Sequence, residues 1–212
     1  MYVKNFYLSA SQVDNKDLNL ENKKWIINNK EYTIKKYVKK NLNKYRNNSE
    51  SAYRSVIYSN NKINCFSPEK SLEPNYFMQT YKEIECMAEE FIEGTMINLF
   101  YDSNISKWEI STKSSVGGNI KFFKNQPLFS QLFKDVCEHL GVNVQNFDKN
   151  YCYSFVMQHP DNNIVIPIIE KSLYLVAVYQ INNDKFEVTE IPKSEYNNLS
   201  LPSQVRLPFG HY

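Results

Sequence analysis

Several side chains of this sequence could act in catalysis, and their spacing limits the chemistry that they could perform. Glu89, Glu90 and Glu93 form an acidic cluster, but neither a partner histidine nor a metal-ligand spacing accompanies it, which favours surface charge. His159, in the segment QHPDN, could act as a general base, although a histidine before a proline is more typical of a turn. The serines of residues 111–115 lie outside any G-x-S-x-G motif, so hydrolase chemistry has no support.

The cysteines and histidines do not indicate a metal site. No two of the four cysteines are close enough in sequence for a C-x-x-C pair, and the three histidines show no ligand spacing. We therefore expect no metal to be bound, and we expect reduced, mostly buried thiols in an intracellular protein. The residues concerned are Cys65, Cys86, Cys137, Cys152, His139, His159 and His211.

The composition indicates a globular protein but says little about its partner. Hydrophobic residues make up 42% of the chain and aromatic residues 15%, which can support a buried core and favours sheet. A formal net charge of +2 is too near zero to imply a nucleic-acid partner by itself. The N-terminus lacks a signal-peptide core and the longest apolar run, residues 173–179, is too short to span a bilayer, so we expect no membrane association. The many asparagines are typical of an AT-rich genome, such as that of a large DNA virus or of an AT-rich microbe, and we expect a cytoplasmic location.

The elements that would position these residues are mainly short strands. Alternating apolar residues on both sides of Asn28-Asn29 and of Asn60-Asn61 predict two hairpins, and residues 95–112 predict a third. Residues 126–141 carry a helical apolar stripe that ends at Gly141. Four further strands are predicted in YCYSFVMQ, NIVIPI, SLYLVAVYQI and KFEVTEI. Because hairpin-length connections predominate, we expect an α+β fold with a largely antiparallel sheet and a few packed helices.

A basic helix is expected from Tyr32 to Arg46, because the apolar residues of that segment fall at helical spacing. Lysines crowd the rest of its surface, and with tyrosines among them they suit contacts to the phosphates and bases of a nucleic acid. A solvated helix face would explain the same pattern. We assign residues 1–50 to an N-terminal extension that contains this helix, and residues 51–212 to the main domain. The lysines expected to contact nucleic acid are Lys35, Lys36, Lys39 and Lys40.

The order of four segments resembles that of the nucleotidyltransferase domain of phage-type ATP-dependent RNA ligases. The segments are YRSVIYSNNKINCFSPEKS, FIEGTMINLFYD, WEISTKSSVGGN and YCYSFVMQHPDNNIVIPI, and they run from about Tyr53 to about Tyr179. The resemblance implies a lysine that attacks the α-phosphate of ATP, with magnesium bridging the phosphates, before the AMP passes to a 5′ end. The implied partner is nucleic acid, with RNA favoured over DNA.

The resemblance places five residues around the nucleotide. Arg54 matches the arginine that precedes the nucleotide lysine, and Lys70 matches the lysine after a proline-containing strand exit. Glu93 and Gly94 match the acidic-glycine pair, and Lys113 lies where the family has a Lys-Gly-Ser-like turn, although the next residue here is serine. Each residue also has an ordinary alternative: an exposed strand edge for the arginine, a solvated loop for the first lysine, and a turn before a hairpin for the acidic-glycine pair.

Two positions depart from the family pattern. Phe91 stands where the family has its nucleophilic lysine, and a phenylalanine has no lone pair to attack phosphorus. Ser154 stands where the family has a glutamate that reaches the nucleotide, and a serine supplies hydrogen bonds but no charge. The family's downstream acidic-glycine and Lys-x-Lys strands are not found before Tyr212, so we expect the domain to be incomplete at its C-terminal side.

Two functions therefore stay open. In the first, the chain is the N-terminal part of an RNA-ligase-like nucleotidyltransferase that acts on nucleic-acid ends with ATP and Mg²⁺ as cofactors. In the second, it is a catalytically inactive descendant that needs no cofactor and binds nucleic acid or protein as a scaffold. Phe91 and Ser154 favour the scaffold, whereas Arg54, Lys70 and Glu93 favour the enzyme. The sequence does not indicate the oligomeric state.

Overall fold

Strands dominate the protein, as seen in a computed structural model that describes residues 3–9, 20–39 and 49–210. The described strands are β1 (Lys4–Tyr7), β2 (Leu20–Ile27), β3 (Lys30–Tyr37), β4 (Val56–Ser59), β5 (Lys62–Cys65), β6 (Thr95–Asp102), β7 (Lys107–Ser111), β8 (Tyr151–Gln158), β9 (Ser172–Asn182) and β10 (Glu187–Glu190). The described α-helices are α1 (Pro74–Thr80) and α2 (Phe129–Leu140), and several short 3-10 turns connect the elements. The predicted α+β class is confirmed.

The strands form two antiparallel sheets. The six-stranded sheet has the order β1-β10-β9-β8-β6-β7, and the four-stranded sheet has the order β2-β3-β4-β5. Both sheets join strands from either side of residue 50, because β3 pairs with β4 and β1 pairs with β10. The division of the chain at residue 50 stays a prediction.

Paired asparagines make the tight turns of the four-stranded sheet. Asn28 and Asn29 have φ angles of 51° and 61°, and Asn60 and Asn61 have φ angles of 49° and 58°. Two successive left-handed residues match the right-handed twist of the flanking strands, and asparagine adopts this conformation more readily than most residues. Both hairpins were predicted at these dipeptides, and both predictions are confirmed.

The helix predicted from Tyr32 is wrong over the part of it that the structure describes, because β3 runs from Lys30 to Tyr37. Tyr32 and Ile34 are both fully buried and alternate with more exposed neighbours. This alternation has the two-residue period of a strand. Pairing with β2 on one side and β4 on the other satisfies the backbone of this segment. The remainder of the predicted helix, residues 40–46, lies outside the described residues.

Two further differences concern strands. β1 was not predicted, because its four residues are fixed only by pairing with β10, far along the chain. A strand was predicted in NIVIPI, and that prediction is wrong: residues 163–168 form a loop in which Ile168 alone is buried. Pro167 lacks the backbone N–H that a ladder needs, which explains why the apolar run does not pair.

The six-stranded sheet has a different neighbour on each face. One face packs on the four-stranded sheet around Phe100, Cys152 and Tyr179, and the other face packs on α2 around Ile97, Leu99 and Phe155. The helix was predicted correctly, including its C-terminal cap at a glycine with a φ of 69°. No helix among the described residues is long and apolar enough to cross a membrane.

Candidate functional site

Three polar side chains form a row on the face of the six-stranded sheet that meets the other sheet. Asn98 of β6 lies directly opposite Ser111 of β7 and Ser154 of β8. The Ser154 hydroxyl donates to Asn98 Oδ1 over 2.7 Å, and Asn98 Nδ2 donates to Ser111 Oγ over 3.4 Å. All three side chains are buried. We call this row the polar ladder; it replaces apolar contact in the middle of the interface between the sheets.

More hydroxyl groups surround the polar ladder at the end where β4 begins. Ser55 Oγ donates to the carbonyl of Thr112 over 3.4 Å, and Ser67 Oγ donates to the carbonyl of Ser55 over 3.1 Å. Thr112 and Ser115 share a hydrogen bond of 2.9 Å between their hydroxyls. Hydroxyls and an amide can bond to a base or a ribose, but none of these groups carries charge. All of these groups are buried and bonded within the protein, so the cluster belongs to the packing between the sheets, and it carries no charge that could offset that of a phosphate.

Arg54 and Lys113 flank this hydroxyl cluster. Each is next in sequence to one partner of the hydrogen bond between Ser55 and Thr112, so that bond brings the backbones of the two basic residues close together. The side chain of Lys113 is exposed, and its Nζ lies 5.3 Å from the centre of the Tyr37 ring. These two predicted site residues lie close together only because the sheets are in contact, so sequence spacing alone could not show their proximity.

Lys70 lies in the loop that leaves the four-stranded sheet. Its backbone N–H donates to the carbonyl of Ser51 over 3.2 Å, and its Nζ donates to the carbonyl of Ser71 over 3.1 Å. Ser51 belongs to the short 3-10 turn Ser49–Ala52, which directly precedes the segment of Arg54. The structure thus places Lys70 near the start of β4, and its contact with a nucleotide stays a prediction.

Glu93 and Gly94 lie where β6 begins, against the end of β8. Gln158 Nε2 donates to the backbone carbonyl of Glu93 over 2.9 Å. Gly94 has a φ of 149°, and a Cβ at this position would lie 2.6 Å from the carbonyl oxygen of Met157. Packing against β8 therefore requires glycine here, whether or not the acidic neighbour contacts a ligand.

Phe91 projects into solvent, with 92% of the residue exposed. Its neighbour Glu90 is held by the C-terminal segment, because the backbone N–H of Glu90 donates to the carbonyl of Phe209 over 2.7 Å. The sequence resemblance predicts that residue 91 stands at the nucleophile position, and the side chain there is an exposed benzyl group. Phenylalanine has neither a proton acceptor nor a nucleophilic atom, so this position cannot form a phosphoramidate.

The glycine pair before α2 forms a tight bend. Gly117 and Gly118 have φ angles of 77° and 63°, and a Cβ on Gly117 would lie 2.5 Å from Ile27 Cδ1. The carbonyl of Gly118 accepts a hydrogen bond of 3.0 Å from the N–H of Ser130. Close packing on both sides and the left-handed backbone explain the two glycines without a role in phosphate binding.

The four lysines predicted to contact nucleic acid do not share one helix face. Lys35 and Lys36 are consecutive on β3, so their side chains point to opposite faces of the sheet. Lys35 is only 5% exposed and its Nζ lies 5.3 Å from the centre of the Tyr58 ring, whereas Lys36 Nζ lies 3.2 Å from Glu21 Oε1. Lys39 is exposed, and Lys40 lies outside the described residues.

An ion pair joins the two sheets at the other end of β6. Asp102 is buried and accepts from Lys30, from the Tyr32 hydroxyl over 2.8 Å, and from the backbone N–H of Asn104 over 2.9 Å. Burial acts to raise the pKa of Asp102, but these hydrogen bonds outweigh it, and the pKa lies below its usual value. Burial and the nearby Asp102 charge raise the pKa of Glu109. This network stabilises the contact between the sheets, and sequence reasoning did not identify it.

His159 takes part in a turn. Its Nε2 donates to Asp135 Oδ2 over 2.8 Å, and its Nδ1 accepts from the backbone N–H of Asp161 over 3.0 Å. With Nδ1 as the acceptor, the proton shared with Asp135 lies on Nε2. Asp135 also accepts from Lys171 over 2.8 Å, and the Lys171 and His159 hydrogen bonds hold the pKa of Asp135 below its usual value. Both ring nitrogens are occupied, which favours the turn interpretation over a general base.

A cavity lies on the other face of the six-stranded sheet, between β7 and α2. It has a volume of about 510 Å³ and is lined by Trp108, Phe133 and Val142 among others. Trp108 and the polar ladder lie on opposite faces of the sheet, so this cavity is separate from the hydroxyl cluster. Among the described residues, no three histidine, cysteine, aspartate or glutamate side chains come together as a metal site requires.

The fold and this cluster define an α+β protein in which a row of buried polar side chains lies between two antiparallel sheets. Part of its sequence is 30% identical, over 110 residues, to a protein named RNA ligase from Rhodothermus phage RM378. The alignment covers 47% of this chain and 24% of the phage protein, so the chain spans about a quarter of the length of the relative that it matches. No family model matches the sequence. The chain is thus similar, over about half its length, to a phage RNA ligase.

Proposed function

We propose that this chain is an RNA-ligase-like domain that recognises RNA and does not form a covalent adenylylated intermediate. The similarity to the phage RNA ligase supports the RNA-ligase-like part of the proposal. The observation that carries the loss of the covalent step is the identity and exposure of Phe91, whose side chain offers no atom that could attack a phosphate. In this proposal the domain retains recognition and has lost the first covalent step of ligation.

The groups near the polar ladder fit this loss of chemistry. Ser154 takes the place of a glutamate, and its hydroxyl is used in a hydrogen bond to Asn98. Hydroxyl and amide groups are weak ligands for Mg²⁺, which prefers carboxylates and phosphates. The donor set therefore does not fit a magnesium-assisted transfer from ATP.

Labelling with ATP tests the covalent part of the proposal. We expect no acid-labile label on the wild-type chain after incubation with α-³²P-ATP and Mg²⁺, because no amine stands at residue 91. The variant Phe91→Lys is the matched comparison, since an exposed position accepts lysine without repacking. Label on that variant alone would mean that nucleotide binding persists and only the nucleophile is lost. Label on the wild-type chain would contradict the proposal.

RNA binding tests the recognition part. We expect a single-stranded RNA to bind with an affinity that falls as salt rises, because binding of phosphates releases counterions. Fluorescence anisotropy with a labelled oligonucleotide at several salt concentrations measures this dependence, and a single-stranded DNA of the same sequence shows whether RNA is preferred. An absence of binding to either strand at low salt would leave a protein-binding scaffold as the better explanation.

A second candidate function is adenylylation at another lysine. The contact between Ser55 and Thr112 favours it, because that contact sets the basic residues Arg54 and Lys113 beside a cluster of hydroxyl groups. In this case the wild-type chain becomes labelled, and peptide mapping places the AMP on Lys113 or on Lys70. The variants Lys113→Gln and Lys70→Gln then identify the labelled amine.

A further inference from the structure

Two exposed phenylalanines lie between two exposed lysines in the loop before α2. Phe122 and Phe123 are 53% and 50% exposed, although α2 directly after them buries its own apolar residues. Lys121 and Lys124 on either side are also exposed. Aromatic rings in solvent lose hydrophobic stabilisation, so two adjacent exposed rings indicate a contact surface and not part of the core. We call residues 121–124 the KFFK segment.

The KFFK segment lies in a loop that hydrogen bonds hold in place. The N–H of Phe123 donates to Gln126 Oε1 and the N–H of Gln126 donates to the carbonyl of Phe123, each over 3.1 Å. The carbonyl of Ile120 accepts from the N–H of Phe129 over 2.9 Å, which ties the loop to the first residue of α2. The two rings are therefore presented on a fixed backbone, and binding needs little ordering of the chain.

The geometry of the rings suits stacking on bases. Their centres lie 4.7 Å apart with an angle of 85° between the ring planes, which is an edge-to-face contact. Such a contact uses one face of only one ring, so each ring keeps at least one face for another aromatic group. Bases of a single strand offer such groups, and stacking on aromatic side chains tolerates any base sequence.

The charge around the KFFK segment favours a polyanion. Residues 110–134 contain four lysines and no aspartate or glutamate, in a chain whose formal net charge is only +2. The cationic stretch also includes Lys113, which lies beside the hydroxyl cluster between the sheets. Aromatic rings with flanking lysines supply both parts of single-strand recognition, namely stacking for the bases and positive charge for the phosphates.

We infer that the KFFK segment is a binding surface for single-stranded nucleic acid, with Phe122 and Phe123 stacking on bases and Lys121 and Lys124 contacting phosphates. This inference rests on the proposed function, because it locates the RNA recognition proposed above. It differs from the four lysines predicted from sequence, of which Lys35 is buried. A bound single strand then lies over the connection between β7 and α2.

The test compares variants of the full chain by fluorescence anisotropy with a labelled oligouridylate. We expect the double variant Phe122→Leu/Phe123→Leu to bind roughly tenfold more weakly or worse, because leucine keeps the apolar surface and removes stacking. Phe209→Leu, at an exposed phenylalanine beside Glu90, is the matched control and should bind as the wild type does. The double variant Lys121→Gln/Lys124→Gln should lower the salt slope by about 1.4, since each contact to a single strand contributes about 0.7.

Three outcomes would overturn the inference, and they separate it from the proposed function. If the wild type binds RNA and the leucine variant binds equally well, the surface is wrong while the proposed function stands. If the chain binds duplex RNA as tightly as single strands, stacking is not the mode of recognition. If no RNA binds, and anionic phospholipid vesicles bind instead in a way that depends on Phe122 and Phe123, both proposals fail. Ultraviolet cross-linking of the oligouridylate to a peptide that contains the KFFK segment would support the inference directly.

Discussion

The Sγ atoms of Cys65 and Cys152 lie 3.2 Å apart in the interior between the two sheets. Cys65 ends β5 of one sheet and Cys152 lies in β8 of the other, and both are buried. Burial, with the neighbouring Cys152, raises the pKa of the Cys65 thiol well above its usual value. A thiol in this state reacts slowly, although its partner is in direct contact with it.

We expect these two thiols to form a cross-link when the protein is exposed to oxidised glutathione. Each cross-link removes two hydrogen atoms from the protein and reduces one glutathione disulfide to two thiols. The bond should raise the free energy of unfolding by about 2–4 kcal/mol, because it closes a long loop in the unfolded chain. Intact mass, peptide mapping and urea titration measure these effects.

The double variant Cys86→Ser/Cys137→Ser is the control for that cross-link, because it leaves only the close pair of cysteines. It should lose the same two hydrogen atoms as the wild type. A cross-link that maps to Cys86, or four alkylated thiols after prolonged oxidation of the wild type, would contradict the expectation.

Asp102 should make the stability of the protein fall at acidic pH. Its pKa is lowered in the folded state, so its contribution is fully present above the unfolded pKa of about 3.9 and is lost as the pH falls below that value. Asp102→Asn should cost about 3–5 kcal/mol at neutral pH, because it leaves the Lys30 ammonium without its buried partner. Urea titrations between pH 3 and pH 7 measure both effects, and the variant should lack this part of the acid sensitivity. Equal pH profiles for the two proteins would rule out this role for Asp102.

Gly94→Ala should destabilise the fold more than Gly141→Ala. At Gly94 a Cβ would meet the Met157 carbonyl and Val156 Cγ1 at 2.6 Å and 2.8 Å, in addition to the strain of a φ of 149°. We expect a loss of about 3 kcal/mol or more. At Gly141 nothing lies within 4 Å of the added carbon, so only the left-handed backbone costs about 1–2 kcal/mol. Thermal or urea unfolding compares the two, and a smaller effect at Gly94 would show that β6 and β8 can separate there.

Ser154→Glu should destabilise the domain instead of restoring a site. A carboxylate at this buried position faces Asn98 and has no cation beside it among the described partners, so we expect a loss of about 3–5 kcal/mol at neutral pH. Burial raises the pKa of such an acid, so the loss should shrink as the pH falls and the group becomes neutral. Ser154→Ala leaves Asn98 Oδ1 without its donor and should cost about 1–3 kcal/mol at every pH. If the glutamate variant is as stable as the wild type, the ladder is open to solvent.

Local signals predicted the elements that depend on local physics. The Asn28-Asn29 and Asn60-Asn61 turns need left-handed residues, and α2 has both an apolar stripe and a glycine cap. The prediction of a basic helix was wrong because a short apolar pattern fits the period of a helix as well as that of a strand. The pairing of β3 with a strand on each side makes this segment a strand. The prediction of a strand in NIVIPI was wrong because hydrophobicity alone does not supply the backbone hydrogen-bond partners that a strand needs.

The arrangement of the candidate site depends on contacts that sequence spacing does not contain. Arg54 and Lys113 come together only because Ser55 and Thr112 meet across the two sheets. The polar ladder likewise depends on the register of β6 with its two neighbours, which places Asn98 between two serines. The exposed rings of Phe122 and Phe123 were visible in the sequence as aromatic residues, but only the structure shows that α2 does not bury them.

The pairing of β1 with β10 sets an order for folding during synthesis. The four-stranded sheet uses residues 20–65, so it can assemble soon after that stretch leaves the ribosome. The segment Lys4–Tyr7 has to wait for Glu187–Glu190 before its backbone groups find their partners. Throughout that interval the nascent chain carries an unpaired strand, and a chaperone that shields its first residues would be expected to raise the yield of folded protein.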